Sequence, residues 1–177
     1  MNKQRRSRLS QFKTKASLLL KDLQSSQSEL SLKAAERLTA LPFLQGGTAA
    51  GVLKDLSFFR LKHALWVIAL ENGNKDWASL RTKVIKEDCL APGAGSGLNA
   101  WFNNYAEAKQ YQQANGGYLL QYRKDFLVCE SGYIEGIGLI EYENEWKRIG
   151  YDWVQPRDKA AWNVLFAKAK EFYLARA

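Results

Sequence analysis

The amino-acid sequence predicts a mainly α-helical protein, a single domain of about six or seven helices with a small β-hairpin in its C-terminal half. Three observations lead to this class. Apolar residues recur every three or four positions over most of the 177 residues, which is the period of a helix with one buried face. Residues 118–129 instead carry two short aromatic and apolar runs around a polar turn. Glycine and proline separate the segments.

The first predicted helix, residues 4–23, is both amphipathic and strongly basic. The first 24 residues hold seven Lys and Arg residues against one Asp, and therefore carry +6 of the chain's formal net charge of +8. The sequence predicts a basic N-terminal helix in residues 1–24 and a globular helical domain in residues 25–177. One apolar stripe runs along this first helix: Leu9, Phe12, Ala16, Leu19 and Leu23.

Three more helices are predicted in the first half of the chain. Ser26 and Glu29 fit a capping box at the start of the second helix, which ends at Pro42. Residues 45–48 form a linker, and residues 53–72, the most apolar stretch, form a central buried helix. The second helix has a buried stripe of its own: Leu30, Ala34, Leu38 and Leu41.

The central helix is expected to end in a left-handed cap at Gly73. Asp76 is expected to cap the next helix, which ends in a glycine-rich loop at residues 92–97. This loop is a point at which the chain could divide into two helical halves. The helix over residues 53–72, the turn at Gly73 and the helix from Asp76 also have the outline of a helix-turn-helix motif, with Ala69 and Gly73 spaced for a close helix crossing. The simpler alternative is a plain packed helix pair.

The second half is expected to contain a helix over residues 98–115, the hairpin, a short helix near residues 133–139 and a last helix capped by Asp158. The acidic residues 141–145 read as a solvated loop, or as a partner of the basic first helix. The many aromatic residues, six Trp, eight Tyr and eight Phe, predict an aromatic-rich core.

Several classes of protein are excluded or disfavoured. Cys89, Cys129 and the single histidine, His63, form no metal-ligand pattern, so neither a metal site nor a cofactor is predicted. All three are expected in the core, although one disulfide is left open. The scattered cysteines indicate a reduced, cytoplasmic protein, and no apolar run approaches the about 20 residues that span a bilayer. The start, rich in Arg and Ser, also resembles an organelle transit peptide.

No catalytic residue stands out. The glycine-rich segments lack the spacing of phosphate-binding loops. Carboxylates near the C-terminus could supply acid–base pairs only if the fold buries them together, and these are Glu135, Glu141, Glu143, Glu145, Asp152 and Asp158. The hairpin mixes aromatic and basic residues that would suit base stacking, although most of its rings are expected to cover the core. They are Tyr118, Tyr122, Arg123, Lys124 and Phe126.

Part of the sequence resembles uncharacterised bacterial helical proteins, in which similar segments occur beside ankyrin-repeat or glyoxalase-like regions. The resemblance covers about residues 53–160. It is carried by residues 61–69 with Gly73, 77–80, 116–120, 126–129, and 149–154 with Pro156. It implies a bacterial cytosolic origin and no known activity. Where such proteins have an aromatic residue after the glycine, this chain has Asn74, which puts the conformation of that turn in doubt.

The leading prediction is a noncatalytic protein that binds nucleic acid through its basic first helix. The runner-up is a protein-interaction module or homodimer that sets this helix against an acidic surface, and an enzyme of unknown class ranks third. For the helix itself there are two further interpretations: binding to an anionic membrane through Leu9, Phe12 and Leu19, and a merely solvated face. The expected phosphate contacts are Arg5, Arg6, Arg8, Lys13 and Lys15, with a second basic surface at Lys75, Arg81, Lys83 and Lys86.

Overall fold

The computed structural model describes residues 7–91 and 100–176, and this part of the chain is mainly helical. It contains nine α-helices, two short 3₁₀ turns and one small antiparallel sheet in the C-terminal half. The predicted fold class is thus confirmed. The chain divides into two compact units, Met1–Val84 and Ile85–Ala177. No helix among the residues described is both long enough and apolar enough to cross a bilayer.

Helix α1 (Arg8–Leu23) buries nearly all of its predicted apolar stripe. Its N-terminus is capped by Ser7, whose Oγ accepts a hydrogen bond from the backbone N–H of Ser10 at 3.1 Å. Phe12 is only half-buried. The other four stripe residues are at most 1% exposed: Leu9, Ala16, Leu19 and Leu23.

Helix α2 (Ser28–Leu38) differs from its prediction in two ways. The capping box of Ser26 and Glu29 is wrong, because the helix begins without a side-chain cap bond. The Glu29 carboxylate instead accepts a hydrogen bond from Lys33 Nζ at 2.6 Å, one turn further along. Leu30 is 39% exposed rather than buried, since burial along this helix begins one turn later.

The single central helix predicted for residues 53–72 is wrong. Three shorter pieces replace it: α3 (Ala49–Lys54), a 3₁₀ turn (Leu56–Phe58) and α4 (Leu61–Glu71). This division accounts for one of the helices that the described residues contain beyond the number expected, and a further one, Glu143–Ile149, stands where a loop was expected.

Local side-chain hydrogen bonds cause this division. The Asp55 carboxylate accepts hydrogen bonds from Ser57 Oγ at 2.9 Å and from the Phe58 backbone N–H at 3.3 Å. These bonds favour a tight turn over a continuing helix. The expected linker is also partly a helix start, because Thr48 Oγ1 accepts the Gly51 N–H at 3.2 Å and caps α3.

The left-handed cap predicted at Gly73 is confirmed. Gly73 has φ +70°, its N–H donates to the Leu70 carbonyl at 2.9 Å, and the Asn74 N–H donates to the Ala69 carbonyl at 3.0 Å. These two bonds form a Schellman motif. A Cβ atom at Gly73 would meet nothing within 4 Å, so the expectation that this glycine permits a close helix crossing is wrong.

Helix α5 (Trp77–Asp88) follows, and its predicted cap is confirmed. The Asp76 carboxylate accepts hydrogen bonds from the Ser79 backbone N–H at 2.7 Å and from its hydroxyl at 2.8 Å. The boundary between the two units falls inside this helix, after Val84. The loop at residues 92–97 lies outside the described residues.

Within the first unit, α1 packs against α2 and α4, and α2 packs against α3 and α4. Helices α4 and α5 are not among the extensively packed pairs of the described residues. The outline of a helix-turn-helix is therefore present in the order of elements, but without the tight packing that this motif implies. The basic first helix is an integral part of the first unit.

The second unit contains the sheet. Strand β3 (Asp125–Cys129) lies between β1 (Ala100–Phe102) and β2 (Tyr118–Tyr122), and all pairs are antiparallel. Leu120 of β2 lies opposite Leu127 of β3, and both side chains are fully buried. The predicted hairpin is confirmed.

The helix predicted for residues 98–115 is wrong in its first part. Residues 100–102 are β1, because Trp101 and its neighbours pair with β3, as suits aromatic residues. Helix α6 (Tyr105–Asn115) starts only after Asn104, whose Oδ1 accepts the Glu107 N–H at 2.9 Å.

Three helices complete the second unit: α7 (Ser131–Gly136), α8 (Glu143–Ile149) and α9 (Lys159–Ala175). The solvated loop expected at residues 141–145 is wrong, because two of its acidic residues form the first turn of α8, where the helix dipole favours negative charge. The cap at Asp158 is confirmed by hydrogen bonds from two backbone N–H groups of α9.

The core is mainly aliphatic, so the expectation of an aromatic-rich core is wrong. Most buried side chains of the described residues are leucine, isoleucine, valine or alanine. The buried Phe, Tyr and Trp residues among them are Phe59, Tyr133, Trp146 and Trp153. Large rings rarely become fully buried, and most of them here are half-buried or exposed around the aliphatic core.

Candidate nucleic-acid interface

Helix α1 presents three exposed lysines. Lys13, Lys15 and Lys21 all lie outside the buried stripe, and within residues 7–91 and 100–176 none of them forms an ion pair. Lys15 Nζ lies 5.7 Å from the centre of the Phe12 ring. These ammonium groups are thus available to anions.

The three arginines expected beside them are only partly placed. Arg8 is half-buried in the first turn of α1, and it precedes Lys15 by seven residues, or two helical turns, so both lie on one side of the helix. Arg5 and Arg6 lie outside the described residues.

Positive charge is concentrated in the first unit as a whole. Fifteen Lys and Arg residues against six Asp and Glu residues give it a formal net charge of +9, whereas the second unit carries −1. Some of the fifteen basic residues are paired, as Arg37 is with Glu71 at an Nε–Oε1 distance of 2.8 Å, and the net +9 is the excess that six acidic residues leave. The charge asymmetry therefore follows the division of the fold.

The second basic surface is brought together only in part. Lys75, Arg81, Lys83 and Lys86 are all exposed. Lys83 and Lys86 are three residues apart on α5 and share a face, whereas Arg81 is two residues from Lys83 and points to another side. Lys86 also lies beyond the unit boundary. These four residues are therefore not gathered on one face of α5.

The hairpin rings cover the core, as expected. Tyr118 and Tyr122 pack against the main hydrophobic cluster of the second unit, and Phe126 packs against a smaller one. The Arg123 guanidinium lies 5.0 Å from the centre of the Tyr122 ring. Lys124 is exposed in the turn. These residues do not form an exposed stacking surface.

His63 is a buried structural residue. It is 7% exposed, and its Nδ1 accepts a hydrogen bond from the Arg60 backbone N–H at 3.2 Å at the start of α4. Only the neutral imidazole can accept there. Burial, together with the positive charges of Lys62 and Arg60, lowers the pKa of His63 below its ordinary value of 6.5.

This histidine predicts a pH dependence of stability. Because its pKa is lower in the folded chain, the unfolded chain takes up the proton first as the pH falls, and stability decreases from about pH 6.5 downward. We expect the melting temperature to fall more between pH 7 and pH 5 in the wild type than in His63→Gln, since glutamine can keep the cap bond without titrating. An equal decrease in melting temperature between pH 7 and pH 5 in the wild type and in His63→Gln would contradict this prediction.

The two cysteines are inert core residues. Both are buried free thiols, so the disulfide left open by the sequence is not formed. Burial raises the pKa of Cys89 to about 12 and that of Cys129 to about 12. Both groups are therefore protonated at neutral pH and are poor nucleophiles.

Three of the candidate carboxylates serve the fold. Glu143 accepts hydrogen bonds from the Tyr151 hydroxyl at 2.6 Å and from the Tyr118 hydroxyl at 3.1 Å. Burial and this bond raise the pKa of Tyr118 to about 12. Asp152 is buried in a hydrogen-bonded network, and Asp158 caps α9. In the described parts of the chain, no group of three His, Cys, Asp or Glu side chains could hold a metal ion.

The sequence patterns missed one feature of the first unit. Phe43 and Phe58 are 47% and 49% exposed and lie against each other, with ring centres 5.8 Å apart. Part of a signal was present, because Phe58 and Phe59 stand between Lys54 and the basic residues Arg60 and Lys62. The continuous helix expected over residues 53–72 concealed it, since that helix was expected to be buried.

Comparison of the chain with models of known protein families, with curated proteins and with solved structures finds no match. The resemblance to bacterial helical proteins therefore stays a prediction, and no relative's activity bears on this chain.

Proposed function

We propose that this protein is a noncatalytic nucleic-acid-binding protein that contacts phosphates through α1. The observation that carries the proposal is the division of this helix into two sides. Its apolar stripe is buried within its own unit, whereas Lys13, Lys15 and Lys21 remain exposed. These ammonium groups are distributed around the surface of the helix that its own unit leaves uncovered, and a unit of net charge +9 attracts a polyanion.

The same division argues against binding to a membrane surface. An interfacial helix must bury its apolar face among lipids. Leu9 and Leu19, which would do so here, are already at most 1% exposed in the protein. Charge remains as the means of binding, and phosphate contacts of this kind do not read sequence.

The proposal includes a cytoplasmic location. The free thiols of Cys89 and Cys129 are compatible with a reducing compartment.

Replacing Lys13, Lys15 and Lys21 together by glutamine tests the proposal. Each lost phosphate contact should reduce the slope of log affinity against log salt by about 0.7–0.9, so the triple variant should lose about 2–3 from the slope. The measurement is fluorescence anisotropy of labelled random DNA and RNA between about 50 and 200 mM salt.

A matched control is available in the second unit. Lys124, Lys147 and Lys170 are also exposed, and replacing them by glutamine removes the same charge. We expect this variant to keep nearly the wild-type slope. An absence of wild-type binding at low salt, or equal losses in the two triple variants, would overturn the proposal.

A second candidate is a protein-interaction module or homodimer. It is favoured by Leu18 on α1, which is 52% exposed, and by Leu32 on α2, which is 44% exposed. Light scattering would then show a dimer that nucleic acid leaves unchanged and that Leu18→Glu dissociates. A monomeric wild-type protein at micromolar concentration would count against the homodimer.

A further inference from the structure

An exposed group of aromatic rings surrounds His63 in the first unit. The Phe58 ring stacks on the imidazole, with ring centres 5.1 Å apart and an angle of 14° between the planes. The Phe43 ring lies 5.6 Å from the imidazole and 6.0 Å from Trp66. We call Phe43 and Phe58 the stacking pair. Their rings pack against His63 and Trp66, while about half of each residue faces solvent.

Turns and hydrogen bonds fix the backbone segments that carry the stacking pair. Pro42 begins the 3₁₀ turn that carries Phe43, and the Asp55 carboxylate accepts the Phe58 N–H. The Trp66 indole N–H donates to the Lys75 carbonyl at 2.8 Å. The rings are thus positioned by short turns and hydrogen bonds, which lowers the entropy that a ligand must remove on binding.

Basic residues stand close in sequence to Phe58 and His63. Lys54, Arg60 and Lys62 are exposed in the segments that carry Phe58 and His63. The acidic side chain among them, Asp55, is occupied as an acceptor of two local hydrogen bonds. Lys62 and Arg60 are near enough to His63 to help burial lower its pKa. Exposed rings with Arg60 and Lys62 beside the His63 imidazole on which Phe58 stacks complement a ligand that has flat apolar faces and negative charge.

We propose that the stacking pair binds the bases of single-stranded nucleic acid, while Arg60 and Lys62 contact its phosphates. This inference rests on the proposed function and names its ligand class. Aromatic rings beside cations are how proteins hold single strands without reading sequence. In a duplex the base faces are already stacked on each other, so Phe43 and Phe58 could not engage them without unpairing the strands.

The test compares a labelled deoxythymidine oligonucleotide with an abasic oligonucleotide of the same length, which keeps the phosphates and lacks the bases. We expect the wild-type protein to bind the thymidine strand more tightly than either the abasic strand or a duplex of equal length. Phe58→Leu and, separately, Phe43→Leu should weaken thymidine-strand binding by about 5-fold to 100-fold and leave abasic binding unchanged.

Leucine is chosen because it keeps an apolar side chain and removes the ring, so a partner protein or second copy docked on the patch would tolerate it. Trp101→Leu is the matched control, since Trp101 is also 49% exposed but lies in the second unit. Circular dichroism verifies that each variant is folded, and two independent ring variants guard against misfolding of one.

The outcomes separate the two proposals. Equal binding of thymidine and abasic strands, with no effect of either leucine variant, overturns the stacking pair while salt-dependent phosphate binding survives. If the wild-type protein binds none of the oligonucleotides, both the stacking pair and the proposed nucleic-acid-binding function are overturned. A dimer in light scattering that Phe43→Glu or Phe58→Glu dissociates would identify the patch as an interface between copies and would overturn the inference.

Discussion

Replacement of Asp152 by alanine is expected to lower the free energy of unfolding of the second unit by about 3–5 kcal/mol, the range found when one partner of a buried ion pair is removed. One oxygen of the carboxylate accepts hydrogen bonds from the Tyr105 hydroxyl at 2.7 Å and from Lys109 Nζ at 2.9 Å. The other accepts the N–H groups of Val154 and Gln155 at 3.0 and 2.9 Å.

Alanine would leave all four donors without their acceptor. Lys109 would keep only its bond to the Gln112 amide oxygen at 2.8 Å, and its charge would remain beside a largely buried site. Leaving donors and a cation unpaired in this way is more costly than the loss of the bonds themselves. Urea unfolding followed by tryptophan fluorescence measures the difference.

Asp158→Ala is the matched control. Asp158 also accepts two backbone N–H groups and also pairs with a cation, Arg148, but its side chain is 31% exposed. Its loss should cost about 1 kcal/mol, as for an N-cap. Similar losses in the two variants would show that burial of Asp152 does not set its contribution.

Trp146→Ala should be comparably destabilising, by about 3–5 kcal/mol. The side chain is fully buried, and its indole N–H donates to the Leu139 carbonyl at 3.1 Å. Its ring centre lies 5.0 Å from that of Tyr118 and 6.0 Å from that of Trp153. Alanine would open a large cavity between these rings and remove one of the two hydrogen bonds to the Leu139 carbonyl, which would keep only the bond from the Tyr142 N–H at 3.3 Å. Urea unfolding followed by circular dichroism avoids the loss of the fluorophore.

The control is Trp101→Ala, since this tryptophan is exposed and its ring centre lies 6.4 Å from that of Tyr122. We expect a loss of about 0.5 kcal/mol, the usual size for a surface site. If Trp101→Ala destabilised the protein as much as Trp146→Ala, burial would not be the cause of the larger effect.

The features that the sequence predicted well are those that depend on neighbouring residues. Gly73 closes a helix because the left-handed backbone suits glycine, and Asp76 and Asp158 cap helices because their carboxylates reach N–H groups two or three residues away. The buried stripe of α1 follows in the same way from its period of three to four. Such local rules can be read without knowing the fold.

The features that were missed depend on competition or on distant partners. Residues 53–72 have a helical pattern, but Asp55 offers the backbone a competing turn. Trp101 has helical spacing, but pairing with Leu127 of β3 draws it into a strand. The acidic residue Glu143 appears solvated until Tyr118 and Tyr151 are brought to it.

The candidate site also combines features set by neighbouring residues with features set by distant ones. The basic character of Lys13 and Lys15 is visible in the sequence, and the structure adds only that they are exposed. The basic surroundings of Phe58 are likewise visible in the sequence, but its contact with Phe43 could not be predicted, because the two residues are fifteen positions apart and meet only when the turns at Pro42 and Asp55 fold back on α4.

The two sides of α1 have a consequence for how this protein can be altered. Leu19 and its stripe neighbours hold α2 and α4 together, so deleting the helix would expose the apolar surfaces it covers as well as remove its charge. Exchanging Lys13 or Lys21 for neutral residues leaves that contact intact, because both are exposed. The charge of α1 can therefore be raised or lowered one surface residue at a time, almost independently of folding.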